Sequence, residues 1–295
     1  MEVTAMPVKP QHNATEMSEA EIDALFARTL TDDPEDDGRW EAINALRTSG
    51  GRLIFDRAMA WCNSGAGRKQ LSGVDILAQI GKTSEHPVTA YADESYPVIE
   101  ALLLGNPSTE LKDSAIIALS HLGNPAAIPL ICSFRSDPDS EIRLSVAHAL
   151  GLPFANDPQA VDVLLELMHD EDEQVRDWAT FGLGVLGDAD SPTIREALLE
   201  RLGDSYPDAR EEAMSALAKR KDLRVLPALR ELLQAETMPY CAEDAAHYLL
   251  DLEWGNNQQT ADELLSKLHA RFGELRLNTN IAASSPSHRL SSKLW

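Results

Sequence analysis

Three stretches decide how this chain folds: Asp137-Pro-Asp-Ser-Glu-Ile-Arg143, Asp170-Glu-Asp-Glu-Gln-Val-Arg176 and Asp204-Ser-Tyr-Pro-Asp-Ala-Arg210. They begin 33 and 34 residues apart, and in each the arginine follows the first aspartate by six residues. An alanine-rich amphipathic run comes after each one. Recurrence at such a period marks a solenoid, in which a unit too small to bury its own apolar face stacks on its neighbours.

Working outward from these copies gives a helix template. It has an apolar residue at position 0, Arg or Lys at +1, a small residue at +4 and Leu at +8. Leu111, Lys112, Ala115 and Leu119 fit it, as do Ile142, Arg143, Val146 and Leu150. Val175, Arg176, Ala179 and Leu183 fit, and so do Ala209, Arg210, Ala213 and Leu217. Looser copies are Gly38/Arg39/Ala42/Leu46, Lys69/Gln70/Gly73/Leu77 and Cys241/Ala242/Ala245/Leu249. Positions 0, +4 and +8 share a helix face, and the small +4 residue lets a neighbouring helix approach.

Gly81, Gly123 and Gly187 are expected to end these helices in a left-handed conformation. Second helices are expected over 126–134, 159–169, 193–202, 225–233 and 260–272, with Pro129 and Pro227 in first turns. Residues 82–94 read as a longer loop. Ser18 and Glu21 form a capping box before the stripe Ile22, Leu25, Phe26 and Leu30. The expected architecture is all-α: an α-solenoid, right-handed, of about six to seven helix pairs. It covers residues 18–275, between a disordered arm (1–17) and a disordered tail (276–295).

Charge is the main functional constraint. The formal net charge is −22. The tail holds Arg276, Arg289 and Lys293 and no acid, so the rest is near −25. Such a chain repels nucleic-acid phosphates and anionic membranes and attracts a basic protein; acidity also serves solubility. The basic clusters Arg68-Lys69 and Lys219-Arg220-Lys221 are small and set among acids. The three cysteines, Cys62, Cys132 and Cys241, show no CxxC spacing, so neither a disulfide framework nor a zinc site is expected, and a reducing cytoplasm fits. No apolar run reaches membrane-spanning length.

The repeats resemble HEAT repeats of the short bacterial kind called PBS-lyase HEAT-like. The runs Val175-Arg-Asp-Trp-Ala-Thr-Phe-Gly-Leu183 and Arg210-Glu-Glu-Ala-Met-Ser-Ala-Leu-Ala-Lys-Arg-Lys-Asp222 resemble a group of stand-alone bacterial HEAT proteins. Some of these are encoded near Rhs-type polymorphic toxins. Some are suspected immunity proteins, and the resemblance implies an α-solenoid that binds proteins without identifying the partner; joined to the acidic charge, the sharper expectation is an immunity-like protein that neutralises a basic toxin by occlusion. The same repeat occurs in phycobilin lyase subunits, so a lyase subunit or chaperone is the alternative, with a general adaptor as a third reading. HEAT-like hydroxylases that bind two irons carry repeated His-Glu pairs. None of the eight histidines here begins such a pair.

The expected function is therefore non-catalytic protein binding by a monomer, without metal, cofactor, nucleic acid or membrane. Asp137, Arg143, Arg176 and Arg210 are read as a structural ladder, each aspartate capping a helix and each arginine bonding turn acids or carbonyls of its own repeat or the next. The binding surface is expected at Asp170, Glu171, Asp172, Glu173, Trp178, Asp204 and Asp208. A second acidic turn is Asp32, Asp33, Glu35, Asp36 and Asp37. Trp178 has two readings, a binding anchor or a ring packed between helices.

Overall fold

A computed structural model of the chain describes residues 17–31, 37–253 and 259–273. Among them are fifteen α-helices and no strand, so the all-α helical-repeat fold expected from the period is the one adopted. The expected arm (all but Met17), the tail and the acids from Asp32 to Asp36 lie outside the described residues. The helices gather into two compact units that divide between Leu122 and Gly123.

The first unit holds α1 (Glu19–Arg28), α2 (Gly38–Ser49), α3 (Arg52–Cys62), α4 (Gly67–Ala78), α5 (Ala92–Leu104) and α6 (Thr109–Leu122). The Ser18/Glu21 capping box starts α1, whose Ile22 and Phe26 are buried. In α4 the small +4 residue, Gly73, has a clear steric reason. A Cβ there would lie 2.8 Å from the Ala58 carbonyl oxygen and 2.9 Å from the Cys62 Sγ of α3.

Two helices of this unit, α3 and α5, are absent from the expectation, and the loop expected over 82–94 ends early because α5 begins at Ala92. Local chemistry hides both. Gly50 and Gly51, each at positive φ, interrupt the chain between α2 and α3. Pro97 sits within α5, where it reads as a helix breaker, and α5 starts from a left-handed Tyr91.

The second unit holds α7 (Ile128–Ser133), α8 (Ser140–Gly151), α9 (Pro158–Leu167), α10 (Glu173–Thr180), α11 (Pro192–Arg201), α12 (Pro207–Lys219), α13 (Leu226–Leu233), α14 (Tyr240–Leu250) and α15 (Ala261–Phe272). Its second helices fall where the sequence places them. The template residues Ile142, Val146 and Leu150, Val175, Ala179 and Leu183, and Ala209, Ala213 and Leu217 are all buried. Each large aliphatic side chain so buried contributes about 1.5–3 kcal/mol.

The expected left-handed turn at Gly187 is not there: its φ is −74°. Instead α10 widens into a π-turn over Phe181–Leu186, closed by the Gly187 amide donating to the Gly182 carbonyl five residues back at 2.8 Å. Glycine is required here by crowding. A Cβ at Gly187 would lie 2.8 Å from the Leu183 oxygen and 3.1 Å from the Ala155 oxygen. At Gly182 it would lie 2.6 Å from the Gly151 Cα of α8, so these two segments meet backbone to backbone.

Candidate functional site

The repeated turns form the candidate site, and their acids divide into two sets. The inner set is locked. Arg143 donates from Nε and Nη2 to the two carboxylate oxygens of Asp170 at 2.7 and 2.9 Å, and from Nη1 to the Asp137 carbonyl at 2.9 Å. One repeat on, Arg176 makes the same fork with Asp204 at 2.8 and 2.9 Å and donates to the Asp170 carbonyl at 2.9 Å. Arg210 donates to the Asp204 carbonyl at 2.7 Å. Each arginine thus ties its own turn to itself, and the first two also grip the next turn. Parallel two-point pairs of this kind are the strongest geometry available to arginine and carboxylate.

These pairs are shielded from water. The side chains of Arg176 and Asp204 are 12% and 2% exposed, and those of Arg143 and Asp170 are 9% and 8%. Burial alone would raise the pKa of Asp170, but the Arg143 bonds, the Asp172 amide and the charges of Arg143 and Arg176 outweigh it and hold the carboxyl below its ordinary range. Asp204 behaves alike: burial raises it, while Arg176, the Tyr206 amide and Arg201 bring it down. The Asp170 bond raises Arg143, and the Asp204 bond raises Arg176.

Two expectations are corrected here. First, the leading aspartate of each copy is not the helix cap. Asp139 caps α8 and Asp172 caps α10, while Tyr206 stands at that position in α12 without a side-chain bond. Asp137, Asp170 and Asp204 lie two residues earlier and accept the amide two residues on, at 2.9–3.0 Å. In the first two turns the first acid closes the turn and the second caps the helix; the third keeps only the closure. Second, Asp170 and Asp204 are not part of an accessible acidic face, because their carboxylates are consumed by arginine inside the stack.

The outer set is Glu171, Glu173, Asp172 and Asp208. Glu171 and Glu173 are exposed; Asp172 and Asp208 are half-buried. Trp178 is half-buried too, with its ring 4.6 Å from that of His148 on α8 and edge-on to Phe181 at 5.7 Å. Burial lowers the pKa of His148, and among the described residues its Nδ1 has no hydrogen-bond partner.

Sequence reasoning missed the role of Arg220. Its buried guanidinium donates to the carbonyls of Gly184 (2.6 Å), Leu183 (2.9 Å), Ala189 (2.8 Å), Ala216 (3.1 Å) and Gly187 (3.4 Å). Lys219 donates to Val185 and Gly187 at 2.9 and 3.1 Å. Together they supply donors to carbonyls at the end of the π-turn, where the helix leaves acceptors without intrahelical partners. The basic cluster Lys219-Arg220-Lys221 therefore serves the fold. Lys221 binds the Tyr248 carbonyl and Asp251. The only signal in the sequence is a basic run placed one period after a glycine-rich helix end.

A family profile for HEAT repeats matches residues 96–184 and 169–249. The chain belongs to the HEAT-repeat family. It is 27% identical over 222 residues to Protein YibA of Escherichia coli (strain K12), a match covering 73% of this chain and 76% of that protein, and equally to Protein YibA of Escherichia coli O157:H7. The X-ray structure of YibA superposes with a TM-score of 0.65 at 23% identity, over 88% of this chain and 99% of that one, which shows a shared fold. Among the described residues no helix is long and apolar enough to cross a membrane.

Proposed function

We propose that this HEAT-repeat chain is a non-catalytic protein-binding scaffold that meets a basic partner protein along the turn edge of its second unit. The observation that carries this reading is the split among the turn acids. The ladder removes Asp170 and Asp204 from solvent and fixes the turns, while Glu171, which touches Arg143 at 3.4 Å, and Glu173 are exposed and Asp172 and Asp208 are half-buried. A net charge of −22 extends the attraction beyond contact range and speeds encounter with a cationic surface. The partner best suited is a basic toxin or effector domain, which an acidic edge neutralises by covering the surface used on its own substrate.

The test is affinity capture from the native host at low and moderate salt, with the native chain and a Glu171→Lys/Glu173→Lys variant as parallel baits. The reading expects a basic protein held by the native chain, released as salt rises and lost from the variant. Equal capture by both baits, or capture of acidic proteins alone, would remove it.

A further inference from the structure

The second unit carries a further series of cross-repeat contacts, outside the arginine ladder. Arg135 and His169 are 34 residues apart, and each stands two residues beyond a helix end, Ser133 of α7 and Leu167 of α9. Arg135 Nε donates to Glu166 Oε2 at 3.0 Å, and His169 Nε2 lies 3.0 Å from Glu200 Oε2, both across 31 residues. Each glutamate is the next-to-last residue of its helix, α9 or α11. Each side chain also turns back on its own helix. Arg135 Nη1 donates to the Cys132 carbonyl at 3.2 Å, and His169 Nδ1 lies 3.0 Å from the Leu165 carbonyl oxygen. The two rungs are built alike, except that histidine stands where the first has arginine.

That exchange changes the chemistry. A carbonyl oxygen and an ionised carboxylate only accept hydrogen bonds, and a neutral imidazole has a single N–H. Both ring nitrogens of His169 face such acceptors, so the two contacts coexist only while both nitrogens carry protons. The position suits a cation, because carbonyls left unpaired at a helix C-terminus favour positive charge. The charges on the surrounding elements agree. Arg135 is bound to Glu166, Arg143 to Asp170 and Glu171, and Arg176 and Arg201 to Asp204. On α11, Glu196 pairs with Arg224, and on α10 Asp177 is buried. The remainder is negative: Glu200 itself, the exposed Asp162 on α9 and Glu141 on α8, and Asp172 and Glu173 in the turn that follows the ring.

We propose that His169 is a proton-controlled rung between repeats: the doubly protonated ring ties the end of α9 to α11, and release of its Nε2 proton to solvent breaks the tie. The Leu165 carbonyl holds the Nδ1–H, so Nε2 is the nitrogen that gives up its proton. Its lone pair then points at the Glu200 carboxylate, which repels it. Histidine is the side chain suited to such control in the physiological range, whereas the guanidinium of Arg135 keeps its charge and its rung throughout. His169 directly precedes the turn that carries the outer acids, so losing the proton also makes that edge more negative by one charge. The effect on a partner rests on the function proposed above; the rung itself does not.

The test is NMR of the full chain labelled with ¹⁵N and ¹³C, with the His169 ring assigned by its loss in His169→Gln. Ring nitrogen shifts and the nuclear Overhauser contact between the ring and the Glu200 side chain are followed from about pH 6 to about pH 9, a span that brackets histidine titration. The expected result is a doubly protonated ring in contact with Glu200 at the acid end. At the alkaline end the ring should be the Nδ1–H tautomer and the contact should be lost, while the Arg135–Glu166 contact persists. In Glu200→Gln, at an exposed position, the amide can donate to Nε2, so the contact should survive at the alkaline end. A neutral ring in the Nε2–H form, a Glu200 contact that is the same at both ends, or loss of the Arg135 and His169 rungs together would overturn the proposal.

Discussion

The two units of this protein solve one problem with different degrees of regularity. In the second, arginines one position into the helix template grip the first acid of the next turn at separations of 27 and 28 residues. In the first, Arg39 occupies the same template position but reaches an acid 36 residues on, inside a helix and not in a turn. The repeated solution ties backbone, turn and neighbouring repeat together through a single guanidinium. In the irregular one, Arg47 donates to the Asp75 carbonyl and to Asn44 Oδ1, and Trp40 is exposed. Regular positions thus serve the stack, and the departures from the pattern lack its link from one turn to the next.

The most damaging change to the second unit should be Arg220→Met. It keeps the apolar stem but strips donors from buried carbonyls of the π-turn, and should cost about 3 kcal/mol or more. Hydrogen exchange of α10 and α12 should accelerate while α2 and α4 keep their protection. Next comes Gly182→Ala, whose methyl would meet the Gly151 Cα at 2.6 Å. Backbone cannot yield as a flexible side chain can, so a loss of about 1–3 kcal/mol is expected in chemical denaturation.

Acid should separate the carboxylates from the histidine. Asp170 and Asp204 have folded pKa values below their unfolded ones, so the stability they contribute is complete above the unfolded value of about 3.9 and is lost as pH falls through the lower folded values. His148 is also depressed, by burial, and its contribution fades earlier, as pH falls below its unfolded value of about 6.5. Exchange measured from pH 7 downward should show the α8–α10 contact loosening first, and Trp178→Phe should leave that step in place, because the titrating group is His148. The smallest effect on stability belongs to Glu171→Lys with Glu173→Lys. Both acids are exposed, and the change should fall within about 0.5 kcal/mol while altering association with a basic partner.

Much of this was legible in the residues, for reasons tied to the period. The buried faces of α8, α10 and α12 follow from apolar residues at 0, +4 and +8, because helical geometry converts that spacing directly into a stripe. The ladder's reach to the next repeat was one of the options the sequence allowed. What spacing could not decide was which acid of each turn points inward. Asp170 and Asp172 look alike in sequence, and only the turn geometry assigns one to Arg143 and the other to the helix amides. The conformation of Gly187 was illegible because glycine permits either a left-handed turn or close packing, and here carbonyl crowding decides. In the first unit, Gly50-Gly51 and Pro97 obscure two helices whose formation depends on packing against α4 and α6.

The inner acids act on the stack, and the outer ones are proposed to act on a partner. The most direct measurement is a double-mutant cycle on Arg176→Met and Asp204→Asn, read as opening free energies of α10 and α12 amides by native-state hydrogen exchange. A shielded, two-point pair predicts a coupling near 2 kcal/mol, within the range for contacting residues. A coupling below about 0.5 kcal/mol, the value of an exposed ion pair, would contradict a shielded ladder and return Asp204 to the binding surface.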